Sequence, residues 1–261
     1  MSEIIMLKLG GSLITDKTKP YTIKSETLKR IAKEIKEAIS EKDIKLIIGH
    51  GGGSFPHQSA TKYQTHKGIK NNESIKGITI VQNDAAKLNR LVVDALLNEG
   101  INAISIQPSA SVITKDSRIQ SWDTKTIEKF LKLNIVPVPY GDIALDEKQG
   151  CCIISTEEIL TFLAKKLGTT RIILAGKVDG VLTSDGDLIP EITAKNFYEI
   201  KKHLKGSDGA DATGGMIHKV ERMLEFAKKE IKSEIINGNK AGDIKQALLG
   251  KTNLGTTITK H

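Results

Sequence analysis

Residues 4–12 read IIMLKLGGS, an apolar run that stops at two adjacent glycines. Such a run predicts a buried β-strand that ends in a tight turn, because glycine tolerates backbone conformations that other residues avoid. Glycines at a strand end also let backbone N–H groups approach an anion closely, and Lys8 adds positive charge beside them. The segment therefore predicts either an anion-binding loop or a plain tight turn.

The same pattern occurs a second time at residues 44–57, which read IKLIIGHGGGSFPH. Ligands of open α/β sheets bind outside the carboxyl ends of the strands, so we expect the two glycine loops to face each other there. His57 follows the glycines and could donate a hydrogen bond to a phosphate oxygen. For His50, at the strand end, a structural role is favoured.

Strands and helices alternate along the rest of the chain, since apolar residues repeat at helical spacing in some segments and form short runs in others. The predicted helices are 25–39, 84–98, 124–133, 156–167, 213–230 and 242–249. The predicted strands are 102–106, 135–140, 172–175, 234–236 and 255–259, with a hairpin over 142–154. This alternation predicts an α/β fold with a largely parallel central sheet. Pro137 and Pro139 either weaken the assignment of 135–140 as a strand or place it near an edge, and the polar stretch 61–76 is expected to be mobile.

The composition is that of a globular protein with a sizeable core. Of the 261 residues, 39% are hydrophobic and 27% charged, and 39 Lys and Arg against 31 Asp and Glu give a net charge of +8. Many lysines share helices with glutamates, and aromatic residues are scarce, so we expect no nucleic acid as a partner. The surplus charge could instead attract small anionic substrates.

Cysteine usage and hydropathy bear on location. Cys151 and Cys152 are adjacent, a spacing that suits neither a disulfide framework nor a zinc site, so a reducing, cytoplasmic location is expected. No signal peptide is recognisable, and no apolar stretch reaches the length of about 18 residues that a transmembrane helix needs. We therefore expect no membrane association.

A third glycine turn, DATGGM at 211–216, opens the helix that carries Lys219. The free N–H groups and the dipole of a helix N-terminus favour an anion at such a turn. The structural alternative is a capped helix start with Asp211 or Thr213 as the cap. The segment KVDGV at 177–181 follows a predicted strand and would lie at the same edge of the sheet.

Taken together, these segments resemble the amino acid kinase superfamily, and within it the archaeal type of isopentenyl phosphate kinase. The motifs that carry the resemblance occur in the order KLGGS (8–12), DK (16–17), HGGGSFPH (50–57), SIQPSA (105–110), PYGDI (139–143), VDGV (178–181), DATGGM (211–216), INGN (236–239) and GTTI (255–258). The resemblance implies a three-layer α/β/α sandwich in a single domain, 1–261. Its N-terminal part, about 1–150, would bind the acceptor and its C-terminal part, about 151–261, the nucleotide.

The resemblance also implies an activity. ATP, with Mg2+, would phosphorylate isopentenyl phosphate to isopentenyl diphosphate in isoprenoid biosynthesis, and the enzyme would be a homodimer. The first alternative is a kinase of this fold for another small phosphate, phosphonate or carboxylate. The second is a nucleotide or metabolite sensor without turnover.

Family roles carry over onto the matching positions of this sequence. The implied catalytic residues are Lys8, Lys17, His57 and Glu157. The implied ATP-binding residues are Lys8, Gly10, Gly11, Ser12, Gly53, Lys177, Asp179, Gly214, Gly215 and Lys219. The implied substrate-binding residues are Gly52, Gly53, His57, Gly141 and Thr156. No residue is assigned as a metal ligand, and the acceptor tail is expected near Ile78–Ile80.

The sequence departs from the family pattern at three places. Thr156-Glu157 replaces Gly-Asp, Gly176-Lys177 replaces Thr-Asp, and Pro56 replaces a glycine. The β-branched Thr156 adds bulk, so either the pocket or the turn is expected to adjust. Lys177 could add a phosphate contact or reposition the base and ribose, and Pro56 removes one N–H from the glycine loop. These changes fit an altered substrate preference or a loss of catalysis.

Overall fold

The predicted alternation of strands and helices is present in the structure, a computed structural model that describes residues 3–204 and 213–261. The strands, in chain order, are β1 Glu3–Leu9, β2 Ile44–His50, β3 Ala103–Ile106, β4 Ile113–Lys115, β5 Arg118–Ser121, β6 Val136–Pro139, β7 Asp142–Asp146, β8 Gly150–Ile154, β9 Arg171–Gly176, β10 Val181–Leu182, β11 Leu188–Ile189, β12 Glu191–Ile192, β13 Lys232–Asn237 and β14 Gly255–Ile258.

The helices connect these strands. They are α1 Gly11–Ile14, α2 Ser25–Glu41, α3 Pro56–Lys62, α4 Asn72–Asn98, α5 Lys125–Lys132, α6 Thr156–Leu167, α7 Phe197–Leu204, α8 Thr213–Ala227 and α9 Asp243–Leu249, with 3-10 turns at Thr65–Lys67 and Pro108–Ala110. Within the two described ranges, no helix combines the length and the apolar character needed to cross a membrane.

Six strands form the central sheet in the order β12-β14-β13-β9-β1-β2, and every neighbouring pair except β13/β14 runs parallel. Alternate residues of a strand point to opposite faces. Leu7 and Leu9 of β1 therefore pack in one core cluster with residues of α2, α4 and α9, whereas Met6 packs in a second cluster with residues of α5, α6 and α8. These two helical layers confirm the predicted three-layer α/β/α sandwich.

Strands β3 and β6 extend the sheet beyond β2. They pair in parallel with each other, and a single bridge between His50 and Tyr140 joins β6 to β2. Because Pro137 and Pro139 have no N–H, β6 cannot hydrogen-bond fully on both sides. The expectation that this strand lies near an edge is confirmed, and β3 is the outer strand.

Much of residues 61–76 forms helices and turns that the sequence did not predict, and the mobility of the segment stays a prediction. The segment contains the end of α3, the turn Thr65–Lys67 and the first turn of α4. Asn71 caps α4, since its side chain accepts a hydrogen bond from the N–H of Ser74 at 3.0 Å. The cap explains why α4 begins twelve residues before the predicted start at 84: its first turns are polar outside and carry little helical periodicity.

A second sheet, in the order β5-β4-β7-β8, contains the predicted hairpin over 142–154. Strands β4 and β5 were not predicted. Asp146 holds the two turns of this sheet together, because its carboxylate accepts hydrogen bonds from the backbone N–H groups of Asp116, Ser117, Lys148 and Gln149 and from the hydroxyl of Thr114.

Candidate active site

The two glycine loops meet at the carboxyl ends of β1 and β2, as predicted. A Cβ atom added to Gly11 would lie 2.4 Å from the backbone nitrogen of Gly53, so only glycine allows the loops to come this close. Gly53 also has a φ of +56°, a conformation that favours glycine. Both loops border a cavity of about 560 Å³, whose wall includes residues of β9, α6 and α8.

The structure brings most of the predicted site residues to this cavity. Those that line it are Lys8, Gly10, Gly11, Ser12, Lys17, Gly52, Gly53, His57, Gly141, Thr156, Glu157, Lys177, Gly215 and Lys219. Asp179 is not part of the wall: its carboxylate accepts hydrogen bonds from Asn237 at 2.7 Å and Lys240 at 3.0 Å. Gly214 lies in the first turn of α8, and Asp211, one of the two residues predicted to cap this helix, lies outside the described residues. The roles of Asp179 and Gly214 stay predictions.

Lys8 and Glu157 form an ion pair in the cavity wall. Lys8 comes from β1, and Glu157 lies in the first turn of α6, which Ser155 caps by accepting a hydrogen bond from the N–H of Glu158. Burial opposes the ionisation of Glu157, but the charge and hydrogen bond of Lys8 outweigh it and lower its pKa. Lys219 adds to this effect. The pair is therefore ionised, and Glu157 fixes the direction of the Lys8 ammonium group.

Thr156 shows how the first departure from the family pattern is accommodated. Its side chain is buried, and its hydroxyl donates a 2.6 Å hydrogen bond to the carbonyl of His50 at the end of β2. Its methyl group packs over Gly49, since a Cβ added there would lie 2.6 Å from it. The side chain thus ties α6 to β2.

Replacing Thr156 with valine should lower the free energy of unfolding by about 1–2 kcal/mol, because valine keeps the shape but leaves the buried His50 carbonyl with only the 3.3 Å bond from the Gly141 N–H. Urea unfolding of the purified variant measures this. Thr156→Ser retains the hydroxyl and is the matched control for its hydrogen bond. Equal stability of Thr156→Val and the wild type would contradict the role assigned to the hydroxyl.

Lys17 and His57 also line the cavity. His57 is exposed at the wall, and partial burial of its ring, followed by the charge of Lys17, lowers its pKa. The imidazole is therefore neutral near pH 7 and can donate one hydrogen bond. Pro56 is the first residue of α3, where a helix leaves the N–H unpaired in any case, and its ring packs against Gly52.

His50 has the structural role that was favoured. It is buried and stacks on Tyr140 with 5.6 Å between the ring centroids. Nδ1 lies 3.2 Å from the carbonyl oxygen of Gly51, which can only accept, and Asn89 donates to Nε2 at 3.1 Å. The network assigns the Nδ1–H tautomer, and burial lowers the pKa of His50 to about 4.

Lys24 was missed by sequence reasoning. Its Nζ donates to the carbonyl of Ser12 at 3.2 Å and lies beside Lys177. Burial and then the neighbouring Lys177 lower the pKa of Lys24. No local pattern marks Lys24, because only the folded chain brings it back to the first glycine loop. With Lys177, which lines the cavity, it places two lysines beside the first glycine loop.

Asp142 was also missed, although it lies inside the motif PYGDI. It lines the cavity, accepts hydrogen bonds from the N–H groups of Ser109 and Ile143, and burial raises its pKa to about 6. The apolar end of the cavity is formed by Ala60, Val81, Ala85 and Ile153. These residues come from α3, α4 and β8, and Val81 of α4 directly follows the predicted position at Ile78–Ile80.

Comparison with known proteins agrees with this geometry. Residues 3–237 match the amino acid kinase family. The isopentenyl phosphate kinase of Methanocaldococcus jannaschii is 42% identical over 265 residues, which cover 98% of each chain. That of Methanothermobacter thermautotrophicus is 39% identical over 99% of this chain and 100% of the relative.

Solved structures show the same fold. An isopentenyl phosphate kinase structure matches with a TM-score of 0.83 and 36% identity, over 98% of this chain and 100% of the other. A carbamate kinase from Giardia lamblia shares the fold alone, with a TM-score of 0.69 and 19% identity. The chain therefore belongs to the amino acid kinase family and, within it, to the isopentenyl phosphate kinases.

Proposed function

We propose that the protein transfers the γ-phosphoryl group of ATP to the phosphate of isopentenyl phosphate. The observation that carries the proposal is one cavity whose wall combines two glycine loops and several lysines with the apolar end formed by Ala60, Val81, Ala85 and Ile153. The glycine loops and lysines suit the phosphates of both substrates, and the apolar end suits a short hydrocarbon tail. An amino-acid acceptor would need polar partners where Ala60, Val81, Ala85 and Ile153 lie.

The reaction requires positioning and positive charge more than proton transfer. An oxygen of the acceptor phosphate attacks the γ-phosphorus, a new P–O bond forms, and the bond to the β,γ-bridging oxygen breaks to release ADP. The acceptor oxygen is already ionised, so no general base is needed. Lys8, Lys17 and Lys219 stabilise the charge that develops, and Glu157 keeps Lys8 directed into the cavity.

Mg2+ is implied by the family, and the donor set of the site bears on how it would bind. Among the residues described, no three His, Cys, Asp or Glu side chains lie together as metal ligands would. Glu157 is paired with Lys8, and Asp142 accepts from backbone N–H groups. The residues therefore do not form a protein-ligated magnesium site, and we propose that the ion enters on the phosphate oxygens of ATP.

The direct test is ADP release by the purified protein with ATP, Mg2+ and a panel of acceptors: isopentenyl phosphate, dimethylallyl phosphate, fosfomycin and N-acetylglutamate. The proposal expects the isoprenoid phosphates to be the best substrates by kcat/KM. Preferred turnover of fosfomycin or N-acetylglutamate would replace it with the same chemistry on another acceptor. ATP binding without any turnover would favour a sensor.

Replacing His57 with alanine should raise the KM for isopentenyl phosphate about tenfold, the effect of losing one hydrogen bond to a charged group, and leave the KM for ATP unchanged. Steady-state kinetics with each substrate varied in turn separates the two constants. His66→Ala is the matched control, since His66 is exposed and not part of the cavity wall. An unchanged acceptor KM would remove His57 from the acceptor site.

We also propose the substrate contacts and the oligomeric state that the family implies. In the N-terminal part, the acceptor would be contacted by His57, Gly52 and Gly141. In the C-terminal part, the nucleotide would be contacted by Lys177, Gly215 and Lys219.

The outer edge of β3 supports a homodimer, since in the described chain β3 pairs only with β6. Light scattering of the purified protein would give the mass of the assembly. The free thiols of Cys151 and Cys152 support a reducing, cytoplasmic location.

A further inference from the structure

The position of the Lys17 side chain in the cavity is determined by its backbone rather than by side-chain hydrogen bonds. It is exposed and lines the cavity, and it makes no hydrogen bond or ion pair with the residues of 3–204 and 213–261. The loop that carries it, residues 15–24, is a hairpin: Thr15 pairs with Ile23, and the Asp16 N–H donates to the Thr22 carbonyl at 2.9 Å. The tip of this hairpin, 17–21, determines where the Lys17 ammonium group lies.

Tyr21 anchors this tip to the body of the protein. Its hydroxyl donates a 2.8 Å hydrogen bond to the carboxylate of Asp84 on α4, and its N–H donates to the carbonyl of Ser54 at 3.3 Å. Its ring packs edge-on against Phe55, with 5.7 Å between the centroids. The anchor therefore reaches both the second glycine loop and α4, which contributes to the apolar end of the cavity.

Two further observations indicate that the hydrogen bond between Tyr21 and Asp84 is a specific feature of the fold. Asp84 is 3% exposed, which is costly for a carboxylate, and its partners are the Tyr21 hydroxyl and Lys87, whose Nζ lies 3.4 Å away. Tyr21 has a φ of +49°, a region that non-glycine residues adopt only when surrounding contacts hold them there. The hydrogen bond to Asp84, together with burial, also raises the pKa of Tyr21, so the phenol remains the donor.

We propose that Tyr21 and Asp84 are positioning residues for Lys17: their hydrogen bond holds the hairpin tip so that the Lys17 ammonium group lies beside the transferring phosphoryl group. This inference rests on the proposed kinase activity for its catalytic consequence. Its structural part, the anchoring of the tip, stands on the contacts alone.

Tyr21→Phe is the decisive variant, because it removes the hydroxyl and keeps the ring on Phe55. We expect kcat to fall about 10- to 100-fold, since a displacement of about 1 Å at a reacting centre has that effect, with the KM for ATP unchanged. In a Lys17→Ala background the same change should alter kcat less than about twofold, because there is no ammonium group left to misplace. Tyr198→Phe, at a side chain 69% exposed on α7, is the matched control.

Hydrogen–deuterium exchange tests the anchoring of the hairpin tip by Tyr21 independently of enzyme activity. Tyr21→Phe should speed exchange in residues 16–24, where the N–H groups of Asp16 and Lys24 close the hairpin, and leave the rest of the chain unchanged. Asp84→Asn, which keeps an acceptor of lower strength, should give an intermediate rate.

The outcomes separate the two proposals. An equal loss of kcat from Tyr21→Phe with and without Lys17 would overturn the positioning role, as would unchanged exchange in residues 16–24. Absence of turnover in the wild type on every acceptor would refute the kinase activity instead, and the exchange rates would then decide the anchor by themselves.

Discussion

Replacing Lys8 with methionine should lower kcat by about 100-fold or more and leave the fold intact, the size of effect seen when one electrostatic stabiliser of a transition state is removed. Methionine fills nearly the same volume without the charge. Two effects contribute to this loss: the variant lacks the ammonium group proposed to contact the phosphates, and the Glu157 carboxylate, 16% exposed, loses its ion pair with Lys8. Single-turnover measurement of ADP formation isolates the chemical step.

Two further variants separate the loss of the Lys8 charge from the effect of that loss on Glu157. Lys8→Met combined with Glu157→Gln removes the unpaired charge, so it should recover stability but not turnover. Lys42→Met is the control, since Lys42 makes an ion pair with Glu3 at the surface, away from the cavity wall. If Lys8→Met retained kcat within a factor of three of the wild type, Lys8 would have no role in the transition state.

The largest loss of stability is expected for Asp146→Ala, at about 2–3 kcal/mol at pH 7. A hydrogen bond to a charged group contributes about 1.5–3 kcal/mol, and Asp146 accepts five, but some of the freed N–H groups are exposed and can bind water instead. Urea unfolding measures the difference. Asp116→Asn is the control in the same sheet: its side chain is exposed and pairs with the exposed Lys148, and asparagine keeps the tolerance for the φ of +52° found there, so stability should change far less than in Asp146→Ala.

The contribution of Asp146 should disappear in acid. Burial opposes its ionisation, but the hydrogen bonds from Ser117, Lys148, Thr114 and Gln149 outweigh it and hold its pKa well below the ordinary 3.8. The unfolded chain therefore takes up the proton first as the pH falls. The stabilisation is complete well above pH 4 and is lost as the pH falls below about 4, toward the folded-state pKa. Wild type and Asp146→Asn should converge in stability over that range; a constant difference would contradict the assignment.

Sequence reasoning predicted the parts of this protein that depend on local pattern. Strands β1 and β2 were recognisable because each is an apolar run followed directly by glycines in the chain. Strands β4 and β5 were not, since they are short and largely polar and are stabilised by Asp146 from about thirty residues away. The start of α4 was missed because a cap at Asn71, rather than apolar periodicity, determines it.

The site residues fall into the same two groups, those recognisable from local sequence and those brought together only by the folded chain. Lys8, Lys17, His57 and Glu157 were found through motifs, and the structure places all four on one cavity. Lys24 and the contact between Tyr21 and Asp84 depend on the return of the chain to a distant segment, and such contacts leave no trace in local spacing. The bulk of Thr156 was foreseen, but not that its hydroxyl would bind the end of β2.

The contact between Gly11 and Gly53 separates two properties that evolution can change independently. The close approach of Gly11 and Gly53 sets the spacing between the two loops. Under the proposed roles, this spacing determines the distance between donor and acceptor phosphates, so a substitution at Ala60, Val81 or Ile153 would change which molecule is accepted and leave that distance intact. A lineage with this scaffold can explore new acceptors by single point mutations, whereas either glycine must be inherited unchanged.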